Sequence, residues 1–276
     1  SAAFPTMAVS RLAKKHVTVS ITGDGGDELF GGYQHYQDIL RDTKLLNWMP
    51  GVAFRCMSGL AARLPAGIPG RNRVASLRNG PAQSGIWGTP FFDYDLRRRL
   101  LKPDMLDVLG EGLAAPEYRS VASLQNSSDL IDSLTRMDFQ QLLPDDYLMK
   151  VDRASMANSL EVRTPFLDHR LIEFAFSRIP SEWKCNLNER RRVQNLMAKK
   201  YLPKEFELNR KQGFSIPMDA WIRDAPMDQL IEEIPRDIFN VNFIKDLVVG
   251  QSRGRTNGAR LFALIMFNLS SLNKVD

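Results

Sequence analysis

The sequence has few of the residues that mark disulfide-bonded, secreted or membrane-spanning proteins. Only two of its 276 residues are cysteines, Cys56 and Cys185, and neither belongs to a C-x-x-C or zinc-type spacing. We therefore expect two free thiols and a reducing, cytoplasmic environment. The longest uninterrupted apolar run, Leu261 to Phe267, is far shorter than the roughly 20 residues that a membrane span needs, so no membrane partner is predicted. No charged start followed by an apolar block opens the chain, and a secretory signal is not expected.

Basic residues outnumber acidic ones, but no nucleic-acid-binding pattern accompanies them. The formal net charge is +5 and the isoelectric point about 9.2, which permits anionic partners such as nucleotides. Two arginine runs, Arg97 to Arg99 and Arg190 to Arg192, lie in stretches of helical periodicity, where consecutive side chains point in different directions. We expect most of these arginines to be solvated. No nucleic-acid partner is predicted, because the chain has neither an aromatic-basic repeat nor a helix-turn-helix pattern.

One stretch, Val17 to Tyr36, is predicted to form a strand, a glycine-rich acidic loop and a helix. Apolar and polar residues alternate from Val17 to Thr22, which is typical of a strand. The loop that follows contains three glycines, which let backbone amides approach a ligand closely: Gly23, Gly25 and Gly26. Helical spacing of apolar residues then resumes at Leu29.

Three carboxylates share this loop: Asp24, Asp27 and Glu28. A helix N-terminus favours phosphate, whereas bare carboxylates repel it. A Mg2+ ion between them would resolve the conflict, because Mg2+ is typically held by one or two carboxylates together with phosphate oxygens. The alternative interpretation is that the aspartates and glycines only form a turn and a helix cap. Spacing alone leaves both interpretations open.

Most of the remaining chain shows helical periodicity, in a composition that is ordinary for a globular protein of one large or two small domains. We predict a helix that begins at Ser128 and is ended by Pro144. We also predict a closing helix from Asn257 to Leu272 that is apolar on nearly all sides and therefore buried. No other stretch shows a convincing strand pattern. The strand after Val17 would thus lack a partner within the chain, and its exposed edge could pair with a second copy in a homodimer.

Two later stretches place charges in unusual settings. Residues 142 to 171 embed charged side chains among small and apolar ones, which favours a structural ion-pair network over a catalytic site: Lys150, Asp152, Arg153, Glu161, Arg163 and Asp168. Lys211 lies in a short glycine-containing segment, 208 to 217, that is predicted to be an ordered loop. On residue type alone, such a lysine is usually only exposed.

Taken together, these three stretches resemble the synthetase domain of the glutamine-hydrolysing asparagine synthetase family. The string T-G-D-G-G-D-E-L-F-G-G-Y is similar to the family's second nucleotide-site loop, with Thr22 in place of the usual serine. Residues 152 to 168 match D-R-x-S-M-A-x-S-x-E-x-R-x-P-F-L-D, and R-K-Q-G-F-S around Lys211 is similar to a lysine-bearing stretch of the family. The family's glutaminase domain and its S-G-G-x-D-S loop do not occur in these residues. The resemblance is therefore to the C-terminal part of the synthetase domain.

The resemblance implies ATP-dependent amidation, in which aspartate attacks the α-phosphate of ATP to give an acyl-adenylate and glutamine-derived ammonia then displaces AMP. ATP and Mg2+ are the implied cofactors. The implied cofactor-binding residues are Gly23, Asp24, Gly25, Gly26 and Asp27, with Asp27 also the metal ligand. Asp24 and Lys211 are implied to be catalytic, whereas Glu161, Arg163 and Asp168 are implied to support the site.

The fold class expected from these observations is mostly α: a helical body with a remnant of a doubly wound α/β adenine-nucleotide domain of the ATP pyrophosphatase type. Residues 1–40 would be the remnant and residues 41–276 mainly helical, within one partial synthetase domain. We expect the isolated chain to be inactive. Two alternatives stay open: a related amidotransferase that acts on another carboxylate such as a sugar acid, and a non-catalytic helical binding module.

Overall fold

The computed structural model describes residues 2–79, 91–114, 129–206 and 216–272. In these ranges the chain is mostly helical, which confirms that part of the predicted fold class. It divides into two compact units, the first comprising Ser1–Lys44 and Ala122–Ile216 and the second Leu45–Val121 and Pro217–Asp276.

The helices and strands of the described residues are, in chain order, α1 (Ala3–Ala13), β1 (Val19–Ile21), α2 (Gly26–Phe30), α3 (Gln34–Leu46), α4 (Gly51–Arg63), α5 (Arg71–Ser76), α6 (Tyr94–Leu100), α7 (Pro103–Leu109), α8 (Leu130–Met137), α9 (Met149–Met156), β2 (Glu161–Arg163), α10 (His169–Arg178), α11 (Ser181–Lys184), α12 (Arg192–Tyr201), α13 (Met218–Asp224), α14 (Met227–Glu233), α15 (Val241–Ser252) and α16 (Gly258–Leu272). A π-helix, Asp138–Leu148, joins α8 to α9, and short 3-10 helices occupy Leu77–Asn79, Gly110–Ala114 and Pro165–Leu167.

The first unit contains a parallel pair of strands, so the prediction that β1 lacks a partner in the chain is wrong. β1 pairs with β2 in the register Val19 to Glu161, Ser20 to Val162 and Ile21 to Arg163. The pairing continues beyond β1, because the Thr22 amide donates to the Arg163 carbonyl at 2.9 Å. β2 has only three residues and a single apolar one, and it therefore carries no recognisable alternation. α1 packs against α9 beside this pair of strands.

The helix predicted to end at Pro144 continues past it. α8 begins at Leu130, where the Asp129 carboxylate accepts from the Ile131 and Asp132 amides as the N-cap. The predicted N-cap, Ser128, lies outside the described residues. After α8 the backbone widens into the π-helix, which contains Pro144, and then continues as α9. The wider π turn accommodates the proline ring and its missing N–H, which would otherwise break a regular α-helix.

The core of the first unit forms around α2. Leu29 and Phe30 are buried there together with Ala175 of α10. The partly buried residues that pack against them come from the π-helix, the 165–167 helix, α10 and α12: Phe139, Phe166, Leu171, Ile172, Phe176, Ile179 and Val193. The short helix that follows the acidic loop is thus fixed by elements from distant parts of the sequence.

The core of the second unit forms between α6 and the helices α13 to α16. Its most buried members include Leu96, Ile244, Leu247 and Leu261. The prediction that the closing helix is buried on nearly all sides is wrong. In α16, Leu261 and Leu264 are buried, but a row of its apolar side chains is 40–49% exposed: Met266, Phe267 and Leu269.

Charged residues depart from the sequence predictions in two ways. The network predicted for residues 150–168 is not buried: the Glu161–Arg163 pair has side chains 54% and 67% exposed. Conversely, the arginine runs are not simply solvated. Arg97 donates to the carbonyls of Phe92 and Leu113, and Arg190 to Arg192 contact other elements of the first unit, as described below.

The two cysteines are free thiols, as predicted. Cys56 is exposed and Cys185 is buried, and burial raises the pKa of the Cys185 thiol to about 12. Cys185 is therefore a packing residue and not a reactive thiolate. None of the described helices has the length and apolar character that crossing a membrane would require.

Candidate functional site

The acidic glycine loop leaves β1 at its carboxyl end, the edge at which ligands bind in parallel α/β sheets. Two interactions shape its start. The backbone of Thr22 is held by β2, and the Thr22 hydroxyl donates to Asp24 Oδ2 at 2.7 Å. The Gly26 amide then donates to the Gly23 carbonyl at 3.1 Å, which closes the turn into α2. The sequence-predicted order of strand, loop and helix is present, and it places the Asp24 carboxylate at this edge.

The glycines of the loop differ in what surrounds them. Gly25 has φ +89°, a conformation that favours glycine, and a Cβ atom there would overlap the Leu167 side chain. Gly26 is enclosed less tightly, because a Cβ atom there would lie 3.0 Å from Gln194 Nε2 and 3.3 Å from the Phe166 ring. Gly23, by contrast, has open space around it and is exposed. Gly25 and Gly26 thus allow the loop to pack on the 165–167 helix, and Gly23 is the loop glycine with room for a ligand beside it.

Asp27 lies in the first turn of α2, with its carboxylate between an arginine and a glycine. Arg191 Nε lies 3.6 Å from Asp27 Oδ1, and the two side chains are only 28% and 23% exposed. The same carboxylate oxygen also rests directly on Gly32, because a Cβ atom at Gly32 would overlap it. The Gly32 amide also donates to the Asp27 carbonyl at 2.8 Å. The orientation of the Asp27 carboxylate is therefore set by both neighbours.

The segment that enters α12 packs against this loop, which the sequence analysis did not predict. Arg190 Nη1 donates to the Gly32 carbonyl at 3.0 Å, and Gln194 Nε2 donates to the Gly26 carbonyl at 3.4 Å. Arg191, between them, has the left-handed value φ +54°. Arg192 lies over the Trp183 ring at 4.5 Å. The sequence shows an arginine run directly before a helix here, but that pattern by itself does not identify the loop on which the run packs.

Glu28 points away from the loop edge into the protein. It is 1% exposed, and the Tyr33 hydroxyl donates a hydrogen bond to Glu28 Oε1. Burial is the main reason that the pKa of the Glu28 carboxyl is raised to about 7, partly offset by the hydrogen bond from Tyr33. Burial, followed by the nearby Glu28 charge, raises the pKa of Tyr33. The third carboxylate of the loop is thus a structural hydrogen-bond acceptor, not a group that faces the loop edge.

A second buried polar pair lies next to Glu28 and Tyr33. His35 Nε2 lies 2.8 Å from Asp138 Oδ2, and both side chains are at least 90% buried. The rings of Tyr33 and His35 stack at 5.3 Å between centroids, and His35 contacts Tyr36 at 4.4 Å. Burial and the charge of Asp138 raise the pKa of Tyr36. These contacts join the segment after α2 to the π-helix, so the loop has a rigid support.

The other sequence-predicted residues occupy different positions. Lys211 lies outside the described residues. Arg163 supports the loop through its backbone carbonyl, and its side chain pairs with Glu161 at 2.7 Å on the exposed face of β2. Asp168 caps α10 by accepting from the Arg170 amide, and the Arg170 side chain holds the pKa of that carboxyl well below its usual range.

The described residues fit a cation held jointly with a ligand better than a self-contained metal centre. No group of three or more His, Cys, Asp or Glu side chains that could hold a metal occurs among them. Asp24 and Asp27 nevertheless offer hard oxygen donors on the loop, which suits Mg2+ that keeps phosphate or water among its ligands. The arrangement is suited to binding a polyphosphate through a cation, with Arg191 as an additional positive charge nearby.

The described residues define a largely helical chain with a glycine-rich acidic loop at the carboxyl end of a parallel strand. The family model described as asparagine synthase matches residues 1–270. This chain belongs to that family, which confirms the resemblance given by the loop and the two later stretches.

Curated relatives agree with the family assignment. The chain is 28% identical over 272 residues to asparagine synthetase (glutamine-hydrolyzing) 1 of Bacillus subtilis, covering 96% of this chain and 42% of that protein. It is 29% identical over 219 residues to a putative asparagine synthetase (glutamine-hydrolyzing) of Mycobacterium tuberculosis, covering 79% of this chain and 33% of that protein. The chain thus spans less than half the length of these relatives. No solved structure gives a significant match.

Proposed function

We propose that this chain is the C-terminal part of a synthetase domain that forms asparagine from aspartate, ATP and glutamine-derived ammonia. One observation carries the proposal: in a member of the asparagine synthase family, Asp24 and Asp27 follow directly from the carboxyl end of a parallel strand. The names of the relatives, which specify asparagine synthesis and glutamine hydrolysis, support the same reaction. Because the chain covers only part of those proteins, the complete reaction is proposed for a longer chain that contains it.

In this proposal the residues divide into an α/β remnant and a helical body. Residues 1–40, together with the β2 strand that pairs with β1, represent the nucleotide-binding part of a doubly wound domain, and the rest of residues 41–276 represents the mainly helical part. An S-G-G-x-D-S string occurs nowhere in the 276 residues, and neither does a glutaminase domain. The isolated chain would therefore lack the first phosphate loop and would not turn over.

The reaction proceeds by attack of the aspartate β-carboxylate on the α-phosphate of ATP, which releases pyrophosphate and leaves an acyl-adenylate. Ammonia then attacks the acyl carbon, and AMP departs. Neither step needs a covalent bond to the protein. The contribution of the chain is to position the reactants and to place positive charge against the charge that develops on oxygen.

Each candidate residue has a role in this scheme. Asp27 would be a ligand of Mg2+, and the ion would supply charge neutralisation for the pyrophosphate leaving group. Asp24, oriented by the Thr22 hydroxyl at 2.7 Å, lies beside the adenylate and the incoming nucleophile. The open space at Gly23 admits the substrate, while the enclosed Gly25 and Gly26 keep the loop backbone in place. Lys211 stabilises charge on the phosphate or tetrahedral oxygens.

The test is formation of AMP and asparagine by a longer chain of this protein that includes the 276 residues. We expect turnover with aspartate, ATP, Mg2+ and either glutamine or ammonia, and none from the 276-residue chain alone. Asp27→Asn and Lys211→Ala in the longer chain should each lower kcat/KM by at least about 100-fold with the fold intact. Gly51→Ala is the control, because nothing lies within 4 Å of a Cβ at that position.

The outcome also separates the alternatives. Turnover with a different carboxylate, such as a sugar acid, and not with aspartate would assign a related amidotransferase. If the longer chain releases no AMP, and neither variant differs from wild type, the result would instead favour a non-catalytic helical module. Robust turnover by the 276-residue chain alone would contradict the proposed division of the site.

Two further properties complete the proposal. The two free thiols support a reducing, cytoplasmic location. Within the described residues β1 pairs on one edge, with β2, and the other edge supports association with a second copy as a homodimer. Light scattering of the purified chain measures this directly, and a monomer at all concentrations would contradict the homodimer.

A further inference from the structure

The carboxylate of Asp27 rests on the backbone of Gly32, five residues later. A Cβ atom at Gly32 would overlap this carboxylate, so no side chain separates the two residues. The chain reverses between them at Gly31, where φ is +67°, and the Gly32 amide donates to the Asp27 carbonyl at 2.8 Å. Any displacement of Gly32 would therefore displace the surface on which the Asp27 carboxylate lies.

Two tethers fix the returning segment at Gly32 and Tyr33. The first is Arg190 Nη1, which donates to the Gly32 carbonyl at 3.0 Å. The second is the Tyr33 hydroxyl, which donates to Glu28 Oε1, the carboxylate that directly follows Asp27 in α2. Glu28 is 1% exposed, so water competes poorly for this bond. The hydrogen bond thus joins the residue after Asp27 to the residue after Gly32.

The tyrosine ring is itself held in place. It stacks on His35 with centroids 5.3 Å apart and on Tyr147 with centroids 6.0 Å apart. His35 is fixed in turn by Asp138 at 2.8 Å. The Tyr33 hydroxyl therefore has little freedom to leave Glu28, and the short segment from Asp27 to Tyr33 behaves as a closed, supported turn.

We infer that Tyr33 is a positioning residue for Asp27: its hydrogen bond to Glu28 holds Gly32 beneath the Asp27 carboxylate and so keeps that carboxylate oriented toward its ligand. The inference deepens the proposed function, on which it rests for the identity of that ligand. Tyr33 does not itself touch the ligand. Its loss leaves Glu28 buried without the Tyr33 donor and frees the returning segment.

The test uses the 276-residue chain and measures orientation and binding separately. Three-bond couplings between Asp27 Cγ and the backbone report the χ1 angle of Asp27 by NMR, without any ligand. We expect one dominant rotamer in the wild type and averaged couplings in Tyr33→Phe. Titration with magnesium pyrophosphate by calorimetry should give a dissociation constant about 10-fold higher for Tyr33→Phe, as for other outer-shell partners of metal ligands.

Two variants make the result specific to the hydrogen bond. Glu28→Gln keeps an oxygen that accepts from Tyr33 and should retain the wild-type couplings and a dissociation constant within about threefold of wild type. Tyr201→Phe removes a hydroxyl from a tyrosine that is 70% exposed in the same unit, and it should change neither measurement. Wild-type couplings for Asp27 in Tyr33→Phe would overturn the inference, whatever the binding result.

A failure of the proposed function would give a different experimental result from a failure of this inference. If wild type and Asp27→Asn bind magnesium pyrophosphate equally, Asp27 is not its ligand and the proposed role of the loop is wrong. The couplings of Asp27 in Tyr33→Phe still decide whether Tyr33 orients that carboxylate. Averaged couplings would support the positioning role in that case, and unchanged couplings would reject it.

Discussion

Arg191 Nε lies 3.6 Å from Asp27 Oδ1, and Arg191 holds this place with a left-handed backbone, φ +54°. Left-handed backbone at a residue other than glycine costs about 1–2 kcal/mol, and such strain is concentrated at functional sites. A partly exposed ion pair contributes only about 0–1 kcal/mol in return. The ion pair alone therefore does not offset the backbone strain, and we predict that the positive charge serves ligand binding at the loop.

Arg191→Gly should separate these two effects. Glycine relieves the backbone strain, so the free energy of unfolding should stay within about 1 kcal/mol of wild type or rise. The affinity for magnesium pyrophosphate should fall by about 10-fold and become less salt-dependent, because one positive charge is removed. Urea unfolding and calorimetry at two salt concentrations measure both quantities.

Ser159→Gly is the matched control for this variant. Ser159 is the other described non-glycine residue with positive φ, at +56°, and it is exposed. Its replacement should stabilise the fold by about 1 kcal/mol and leave pyrophosphate affinity unchanged. Equal affinity of Arg191→Gly and wild type would contradict the prediction that the Arg191 charge contributes to ligand binding.

Gly32→Ala should displace the Asp27 carboxylate by direct steric overlap. The backbone of Gly32 is not left-handed, so the alanine methyl group is the only new demand. We expect loss of magnesium pyrophosphate binding by more than about 10-fold and destabilisation of about 1–3 kcal/mol, as for other over-packed sites. Gly51→Ala adds the same methyl group where a Cβ meets nothing within 4 Å, and it should change neither quantity. Wild-type affinity in Gly32→Ala would mean that the orientation of Asp27 does not matter for binding.

Lys184 should make the stability of the fold depend on pH above neutrality. Its side chain is buried with Nζ 4.5 Å from the Phe176 ring centroid, and burial lowers its pKa from 10.5 to about 8. Below pH 8 both the folded and unfolded states carry the charge, and the cost of burying it is constant. Between pH 8 and 10.5 the unfolded state binds more protons, so the free energy of unfolding should rise with pH, by roughly 3 kcal/mol in total.

Comparison with Lys184→Met isolates this contribution. The methionine variant should be more stable than wild type at pH 7, and the difference between the two should shrink as the pH rises to 10. Lys199→Met, at an exposed position, should leave the pH dependence of wild type intact. Urea unfolding at each pH gives the differences, and a constant difference between wild type and Lys184→Met would contradict the assigned cause.

His35→Ala should destabilise the first unit more than the same substitution of an exposed histidine does. Asp138 is 2% exposed and lies 2.8 Å from His35 Nε2, so the variant removes a buried partner from a buried carboxylate. We expect a loss of about 3 kcal/mol. His169→Ala, on the surface of α10, should cost less than about 0.5 kcal/mol.

The double variant tests whether the pair is coupled. We compare the loss in free energy of unfolding of the double variant, His35→Ala with Asp138→Ala, with the sum of the losses of the two single variants. The double variant's loss should be smaller than that sum by at least about 1 kcal/mol, because each single variant leaves one buried polar group behind. Additive free energies of unfolding from thermal or urea denaturation would show that the two residues act independently.

Local patterns predicted part of this structure well. α7 spans Pro103–Leu109, between an initial proline and a following glycine that are local signals of helix ends. The strand, loop and helix after Val17 were also predicted, because alternation and glycine-rich turns are properties of adjacent residues. By contrast, Pro144 misled the prediction, since a proline normally ends an α-helix and the sequence gives no indication of a π-helix that contains it.

Only the loop residues of the candidate site could be predicted from the sequence. Asp24 and Asp27 are visible in the sequence as carboxylates in a glycine-rich turn, but their neighbours are not. Gln194 and Arg190 are more than 150 positions away from the glycines whose carbonyls they contact. An arginine run before a helix has the same local pattern whether it is solvated or packed on an acidic loop, so the packing could not be inferred.

The sequence by itself determined the order of strand, acidic loop and helix, the carboxylates that the loop carries and the family to which they belong. The tertiary structure alone decided that β1 pairs with β2, that Glu28 is turned inward onto Tyr33, and that Arg191 lies beside Asp27. The physical reason is how far apart in the sequence the interacting residues are. Backbone conformation follows from neighbouring residues, whereas the partner of a charge or of a strand edge is chosen by burial and hydrogen bonding across the whole fold.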